Sequence, residues 1–277
     1  MRLSVDVRRF DAQSGAPAFV QRYEVEAEET ERFLDVLIRI RTGVDPTLSF
    51  RSSCAHGVCG SDAMRINGKE RLACKTLVRD LAAGGAAAAA TDGLATDGLA
   101  TAAGGTGAAG PLLVSVEPLR HLPVLRDLVV DQGAFFERSR TVTPYLLPAA
   151  TPSDREMLQS PQQQEQFEDA TKCINCAACF SACPVLEKNP RFLGPAAIVA
   201  AARFVEDSRD WGLAPRLDAL DTPDGVWACE NHFECTRVCP REIKVTKLIN
   251  LMKRRVSKER ERRGEVVHDG AGKGTAQ

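Results

Sequence analysis

Ten cysteines in a chain of 277 residues fall into three groups: Cys54, Cys59 and Cys74; Cys173, Cys176, Cys179 and Cys183; and Cys229, Cys235 and Cys239. A thiol can serve as a nucleophile, a disulfide partner or a ligand to a soft metal. Dense grouping favours the last. The opening residues, MRLSVDVRRF, alternate like a strand and read as neither a secretory signal nor a transit peptide. A disulfide framework is therefore not expected. The densest stretch, CINCAACFSACP (173–184), has the spacing C-x2-C-x2-C-x3-C-P. Three thiolates two residues apart can wrap one iron–sulfur cubane, while the fourth turns away toward a second cluster. Zinc also accepts four thiolates, but its usual signature is two separated pairs.

A second cluster needs a second group, and CENHFECTRVCP (229–240) supplies it, again ending in Cys-Pro. Aligned with the first run, it has His232 where the second cysteine would stand. The reciprocal assignment gives Cys173, Cys176, Cys179 and Cys239 to a [4Fe–4S] cluster. Cys183, Cys229 and Cys235 then hold the other cluster, and three thiolates suit [3Fe–4S]. The alternative is a cubane with His232 as its fourth ligand; otherwise His232 is a histidine at the surface or beside the ligands.

The N-terminal group spaces Cys54 and Cys59 by four residues and adds a distant Cys74. Plant-type [2Fe–2S] ferredoxins use C-x4-C-x2-C and a distant cysteine. The third position here is Asp62, whose carboxylate can bind iron through oxygen or can cap the loop turn. Gly57 and Gly60 are expected to let the backbone approach the sulfurs and direct N–H groups at them. His56 is expected to face solvent. The three groups use all ten thiols, leaving none for nucleophilic catalysis.

The elements that must position these residues change character along the chain. RLSVDVRRF and QRYEVEA read as strands, TERFLDVLIRIR as a helix with Phe33, Leu34, Leu37 and Ile38 on one face, and DAMRINGKERLACKTLV as a hairpin turning at Asn67–Gly68. Residues 82–110 are Ala/Gly/Thr-rich, repeat TDGLA in tandem, and read as a flexible insertion before the strand-like PLLVSVEPL. Helical patterns follow from about Asp131. They include GPAAIVAAARFVEDS, with Pro195 at a first helical position, and VTKLINLMKRR at 245–255. The alanines of 195–203 are expected to pack on the clusters and exclude water. From Val256 the tail is charged and expected to fray. The basic stretch from Arg241 to Arg263 fits anionic lipid or a partner subunit, or simply a solvated helix face. No stretch reaches the ~20 apolar residues of a membrane span. The net charge of −1 singles out no partner and gives no reason to expect nucleic acid.

Together SCAHGVCGSDAMRINGKERLAC, LPVLRDLVVD, TKCINCAACFSACPV, GPAAIVAAARF and CENHFECTRVCPREIKVTK resemble the iron–sulfur subunits of the succinate dehydrogenase/fumarate reductase family. The resemblance implies an α+β fold. A β-grasp [2Fe–2S] domain would occupy 1–130, a helical two-cluster domain 131–255, and a charged tail 256–277. It implies a flavoprotein partner whose FAD oxidises succinate to fumarate, as in the tricarboxylic acid cycle and respiratory chain. Electrons would pass through [2Fe–2S], [4Fe–4S] and [3Fe–4S] to quinone at a membrane anchor, on the cytoplasmic face of a bacterial membrane. The dicarboxylate site would lie on the flavoprotein. Two features depart from ubiquinone-reducing members: CPVLEKNPRF has no tryptophan after Pro184, and Glu230 stands where they have histidine. The expected quinone contacts are therefore Pro184, Lys188, Glu230 and His232, with menaquinone as the acceptor. Fumarate reduction and a free-standing ferredoxin-like carrier are the competing readings.

Overall fold

The alternating apolar residues of the N-terminus form β1 (Arg2–Arg9), which buries Leu3, Val5 and Val7 completely. It pairs antiparallel with β2 (Phe19–Glu26). Helix α1 (Phe33–Gly43) follows, then β3 (Ala63–Ile66), β4 (Lys69–Leu72), α2 (Val78–Ala83), β5 (Leu112–Glu117) and the short ribbon β6 (Val124–Arg126) and β7 (Val129–Val130). The helices after it are α3 (Gly133–Thr141), α4 (Pro161–Glu165), α5 (Glu168–Thr171), α6 (Ala178–Ser181), α7 (Pro184–Lys188), α8 (Pro195–Val205), α9 (Leu213–Leu220), α10 (Glu234–Arg237) and α11 (Val245–Arg263). This computed structural model describes residues 1–83, 110–149 and 155–264. Residues 84–109 of the expected insertion and 265–277 of the tail lie outside them.

Two units make up the chain. The first contains Met1–Gln132 together with Ile174–Ala182. Its sheet order is β2-β1-β5-β3-β4, with a parallel β1–β5 pair at the centre and antiparallel pairs on either side. α1 buries Phe33, Leu34, Val36, Leu37 and Ile40. The stripe thus runs 33, 36/37, 40 and leaves Ile38 half-buried at its edge, where the sequence pattern had placed it in the stripe. The β3–β4 hairpin turns at Asn67 (φ 50°) and Gly68 (φ 72°), as a two-residue turn with positive φ requires.

One buried cation fixes the base of the first cysteine loop. The Arg9 guanidinium donates to Asp127 (2.9 Å), Asp45 (2.6 Å), Gln21 (2.6 Å), Tyr23 Oη (2.5 Å) and Thr47 Oγ1 (2.8 Å). Asp127 also accepts from the Ser49 N–H at 2.8 Å. Strands β1 and β2, the β6–β7 turn and the segment leading to Cys54 are thereby joined.

In the second unit, α11 lays Val245, Leu248, Ile249, Met252 and Val256 along one buried face against α8 and α9. The alanine-rich face of α8 packs on these helices and on α3 and α5. Its small side chains thus serve helix packing. The helix does not stop near Arg255: it runs to Arg263 and ends at Gly264 in the left-handed conformation. Buried Val256, the Glu259 pairs with Arg262 and Arg263, and the Arg260–Asp221 pair extend it. Arg255 pairs with Glu206, and Lys253 donates to the Cys229 carbonyl. Much of the basic stretch is thus engaged within its own unit. Arg216, fully buried, pairs with Asp210 and donates to the Thr143 and Tyr145 carbonyls.

Replacing Arg9 with Met is expected to cost about 3–5 kcal/mol at neutral pH, because it leaves buried carboxylates unpaired. Hydrogen bonds from Thr47 and Tyr23, with Arg9, hold the Asp45 carboxyl well below the usual carboxylate range. A carboxyl lowered on folding stabilises above its unfolded pKa of ~4 and loses that contribution as the pH falls below it. The deficit of R9M should therefore shrink in acid, as measured by denaturation midpoints across pH.

Candidate iron–sulfur cluster sites

The loop after Phe50 is shaped by three left-handed residues, Ala55 (φ 58°), Gly57 (φ 80°) and Gly60 (φ 68°). Such turns gather backbone N–H groups into a concavity suited to an anion. The His56 and Cys59 N–H groups lie 3.5 and 3.3 Å from Cys54 Sγ. These donors, with Val58, bring the Cys54 thiol down to about 6. The loop is therefore predisposed to hold a thiolate. His56 is exposed, its Nδ1 2.5 Å from the Cys54 carbonyl oxygen.

Cys74 stands behind this loop and is buried. Burial first, then the Asp62 carboxylate, pushes its thiol up to about 12, while the Gly57 N–H opposes that shift. Asp62 is 2 % exposed. Its Oδ2 accepts from the Cys74 N–H at 2.6 Å, while Oδ1 is buried without a hydrogen-bond partner. A buried carboxylate oxygen of this kind is costly unless something positive meets it. A cap would need only Oδ2; the unpartnered buried Oδ1 is compatible with a ligand to iron. The loop, the thiols and Asp62 together suit a [2Fe–2S] group.

The other two cysteine groups share a backbone pattern. In 173–184, Asn175 (φ 52°) and Ala177 (φ 62°) are left-handed, α6 follows, and Cys183 leads into Pro184 and α7. In 229–240, Asn231 (φ 60°) and Phe233 (φ 65°) are left-handed, α10 follows, and Cys239 leads into Pro240. The offsets from Cys173 and Cys229 are the same, so His232 occupies the place that Cys176 has in the first run. The asparagines at the matched turns were a signal in the sequence, since asparagine tolerates this conformation better than most residues.

Cys183 and Cys235 are buried in the second unit and Cys229 is half-buried. Burial pushes the Cys183 thiol up to about 11, and the nearby Cys235 and Cys229 add to the shift against the Val185 and Leu186 N–H groups. Burial also raises Cys235, whose sulfur lies 3.5 Å from Thr246 Oγ1. Cys183 is thus brought together with Cys229 and Cys235. Of the remaining four, Cys176 and Cys179 belong to the first unit and Cys173 and Cys239 to the second. Among the described residues no three His, Cys, Asp or Glu side chains close on one point as ligands of a single ion would. Ligands of a multi-iron cluster sit on separate irons and need not converge.

The residues singled out near the last group also meet. His232 Nε2 is 2.8 Å from Glu230 Oε2, and Lys188 Nζ is 3.7 Å from the same oxygen. His232 first, then Lys188, lowers the Glu230 carboxyl. All three side chains are exposed, while Pro184 is half-buried at the start of α7.

The fold and these loops define an iron–sulfur electron carrier with one [2Fe–2S] module and one two-cluster module. Residues 4–137 match the 2Fe-2S iron-sulfur cluster binding domain family, and residues 169–243 the 4Fe-4S dicluster domain family. The fumarate reductase iron-sulfur subunit of Mycobacterium tuberculosis is 40% identical over 245 residues, 87% of each chain. The succinate dehydrogenase iron-sulfur subunit of Coxiella burnetii is 34% identical over 262 residues, 94% of this chain and 99% of that one. A chain of the Mycobacterium smegmatis Sdh1 complex in the apo form matches with a TM-score of 0.76 and 26% identity, covering 94% of this chain and 97% of that one. The chain belongs to the succinate dehydrogenase/fumarate reductase iron–sulfur subunit family, and its role is electron transfer. No described helix is long and apolar enough to cross a membrane.

The left-handed turns give a direct test. Asn231→Val should cost about 1–2 kcal/mol, because a β-branched residue is held left-handed at far greater strain than asparagine. Asn231→Gly should change stability by only a few tenths of that. Comparing the denaturation midpoints of the two variants distinguishes backbone strain from loss of the asparagine side chain.

Proposed function

We propose that the chain is the electron relay of a succinate:quinone oxidoreductase. It would be reduced one electron at a time by the FAD of a flavoprotein subunit and oxidised by quinone at a membrane anchor. Cys54, Cys59, Asp62 and Cys74 would hold [2Fe–2S]. Cys173, Cys176, Cys179 and Cys239 would hold [4Fe–4S], and Cys183, Cys229 and Cys235 would hold [3Fe–4S]. The observation that carries this reading is that Cys183 lies near Cys229 and Cys235, the thiols of the last group, within one unit. This supports reciprocal ligation, the arrangement of two-cluster ferredoxins. His232 is left outside the ligand set as an exposed histidine whose Nε2 meets Glu230 Oε2 at 2.8 Å.

The clusters supply one-electron redox chemistry at potentials set by their type, charge, hydrogen bonds and exposure. The chain's own residues hold and tune them. N–H groups at Cys54 and the Thr246 hydroxyl at Cys235 stabilise negative charge on sulfur. Buried Cys183 and Cys235 keep their end of the relay away from water. The dicarboxylate site is assigned to the flavoprotein. The complex would sit on the cytoplasmic face of the membrane, with this chain attached through its anchor partner. Menaquinone is the proposed acceptor, and the Lys188–Glu230–His232 group its nearest polar contact. The direction of turnover, succinate oxidation or fumarate reduction, is set by the quinone and the potentials.

In the isolated complex, succinate should bleach the visible iron–sulfur bands. Bands bleached by dithionite but untouched by succinate would refute the proposed electron source. Glu230→Gln breaks the pairing with both Lys188 and His232. It should raise the KM for quinone while leaving succinate-driven reduction of an artificial dye unchanged; unaltered quinone kinetics would remove this group from the acceptor site.

A further inference from the structure

Gly60 follows Cys59 directly, and its backbone freedom is put to a use beyond its own loop. A β-carbon at Gly60 would lie 2.7 Å from Cys176 Cβ, 3.1 Å from Cys176 Cα and 3.2 Å from the Ile174 carbonyl oxygen. These atoms belong to the backbone or sit directly on it, so they cannot swing aside. Gly57 is different: a β-carbon there meets only the stem of Lys75, which is flexible. At φ +68° Gly60 is also in a conformation that L-residues adopt at a cost.

The facing segment is held in place within the same unit. Ser181, fully buried, donates to Glu70 Oε1 on β4 at 2.8 Å and accepts from the Arg120 N–H at 2.8 Å. The Phe180 ring, 2 % exposed, meets the His121 ring edge-on at 6.5 Å. Ile174–Ala182 is thereby fixed on the first unit with Cys176 against Gly60. From Cys59 to Cys176 the bonded path is interrupted by one non-bonded step, at Gly60.

Resting on the ligand assignment proposed above, the geometry points to Gly60 as a positioning residue that sets how closely the [2Fe–2S] and [4Fe–4S] ligand loops approach. The Gly60–Cys176 contact is then the crossing point of the relay. The Cys59 side is oxidised by one electron as the Cys176 side is reduced by one, and no proton is transferred. The absence of a side chain at Gly60 is what keeps the step short.

The test is Gly60→Ala in the purified complex, read by electron paramagnetic resonance of the fully reduced protein and by single-electron transfer after rapid photoreduction. The wild-type complex should show magnetic coupling between the two reduced clusters. If either cluster's signal is missing there, the ligand assignment fails and this inference fails with it. In G60A, full iron content and spin count with weakened coupling and severalfold slower transfer are expected. Unchanged coupling and rate at full occupancy would overturn the inference even if the melting temperature falls, since that would make Gly60 merely structural. Should G60A fail to retain both clusters, Ser181→Ala, which releases the segment without touching a ligand, takes its place. The same weakening is expected there, and unaltered coupling would overturn the inference.

Discussion

A buried thiol keeps its proton unless positive charge meets it, and this constraint governs the cysteine sites. Cys74 and Cys183 are pushed up to about 12 and about 11, chiefly by burial, and each has negative or ionisable neighbours that add to the shift. Iron at the proposed sites would offset that cost by displacing the protons, which would couple cluster binding to folding of these regions. The fold assembles groups that repel one another when ionised and must hold them together by other means. Arg9 under the first loop, Ser181 between β4 and the 174–182 segment, and the face shared by α8 and α11 supply that hold.

The left-handed turns are the second device. Two runs of different sequence, CINCAAC and CENHFEC, follow the same backbone course because each places asparagine two residues after its first cysteine. The equivalence extends through a short helix to Cys-Pro. His232, standing where the first run has Cys176, leaves that course intact. Phe233, left-handed and half exposed, shows that the pattern is maintained even where the residue is poorly suited to it.

Much of this was legible in sequence because it is local. Alternation in β1, the Asn67–Gly68 turn and Pro195 at the start of α8 each depend on a few neighbouring residues. The cysteine groups were legible because ligand spacing is a local constraint too. What escaped depends on distant partners. Nothing in FSAC reveals that Ser181 will bond Glu70, 111 residues away, and carry its segment onto the first unit. The β6–β7 ribbon is too short to leave a period. The continuation of α11 to Arg263 rests on ion pairs to Asp218 and Asp221 of α9 and the turn that follows it. Gly60 was expected to serve the sulfurs of its own loop, whereas the neighbour it cannot accommodate a side chain against is Cys176.

Reciprocal ligation, with Cys183 sent to the second site and His232 outside the ligand set, is the central claim. Electron paramagnetic resonance of the anaerobically purified, oxidised complex tests it most directly. Three-thiolate ligation at the last site should give a near-isotropic signal from a [3Fe–4S] cluster, lost on one-electron reduction. A protein with its full iron content and no such signal would contradict it, because the last site would then hold a complete cubane with a fourth ligand.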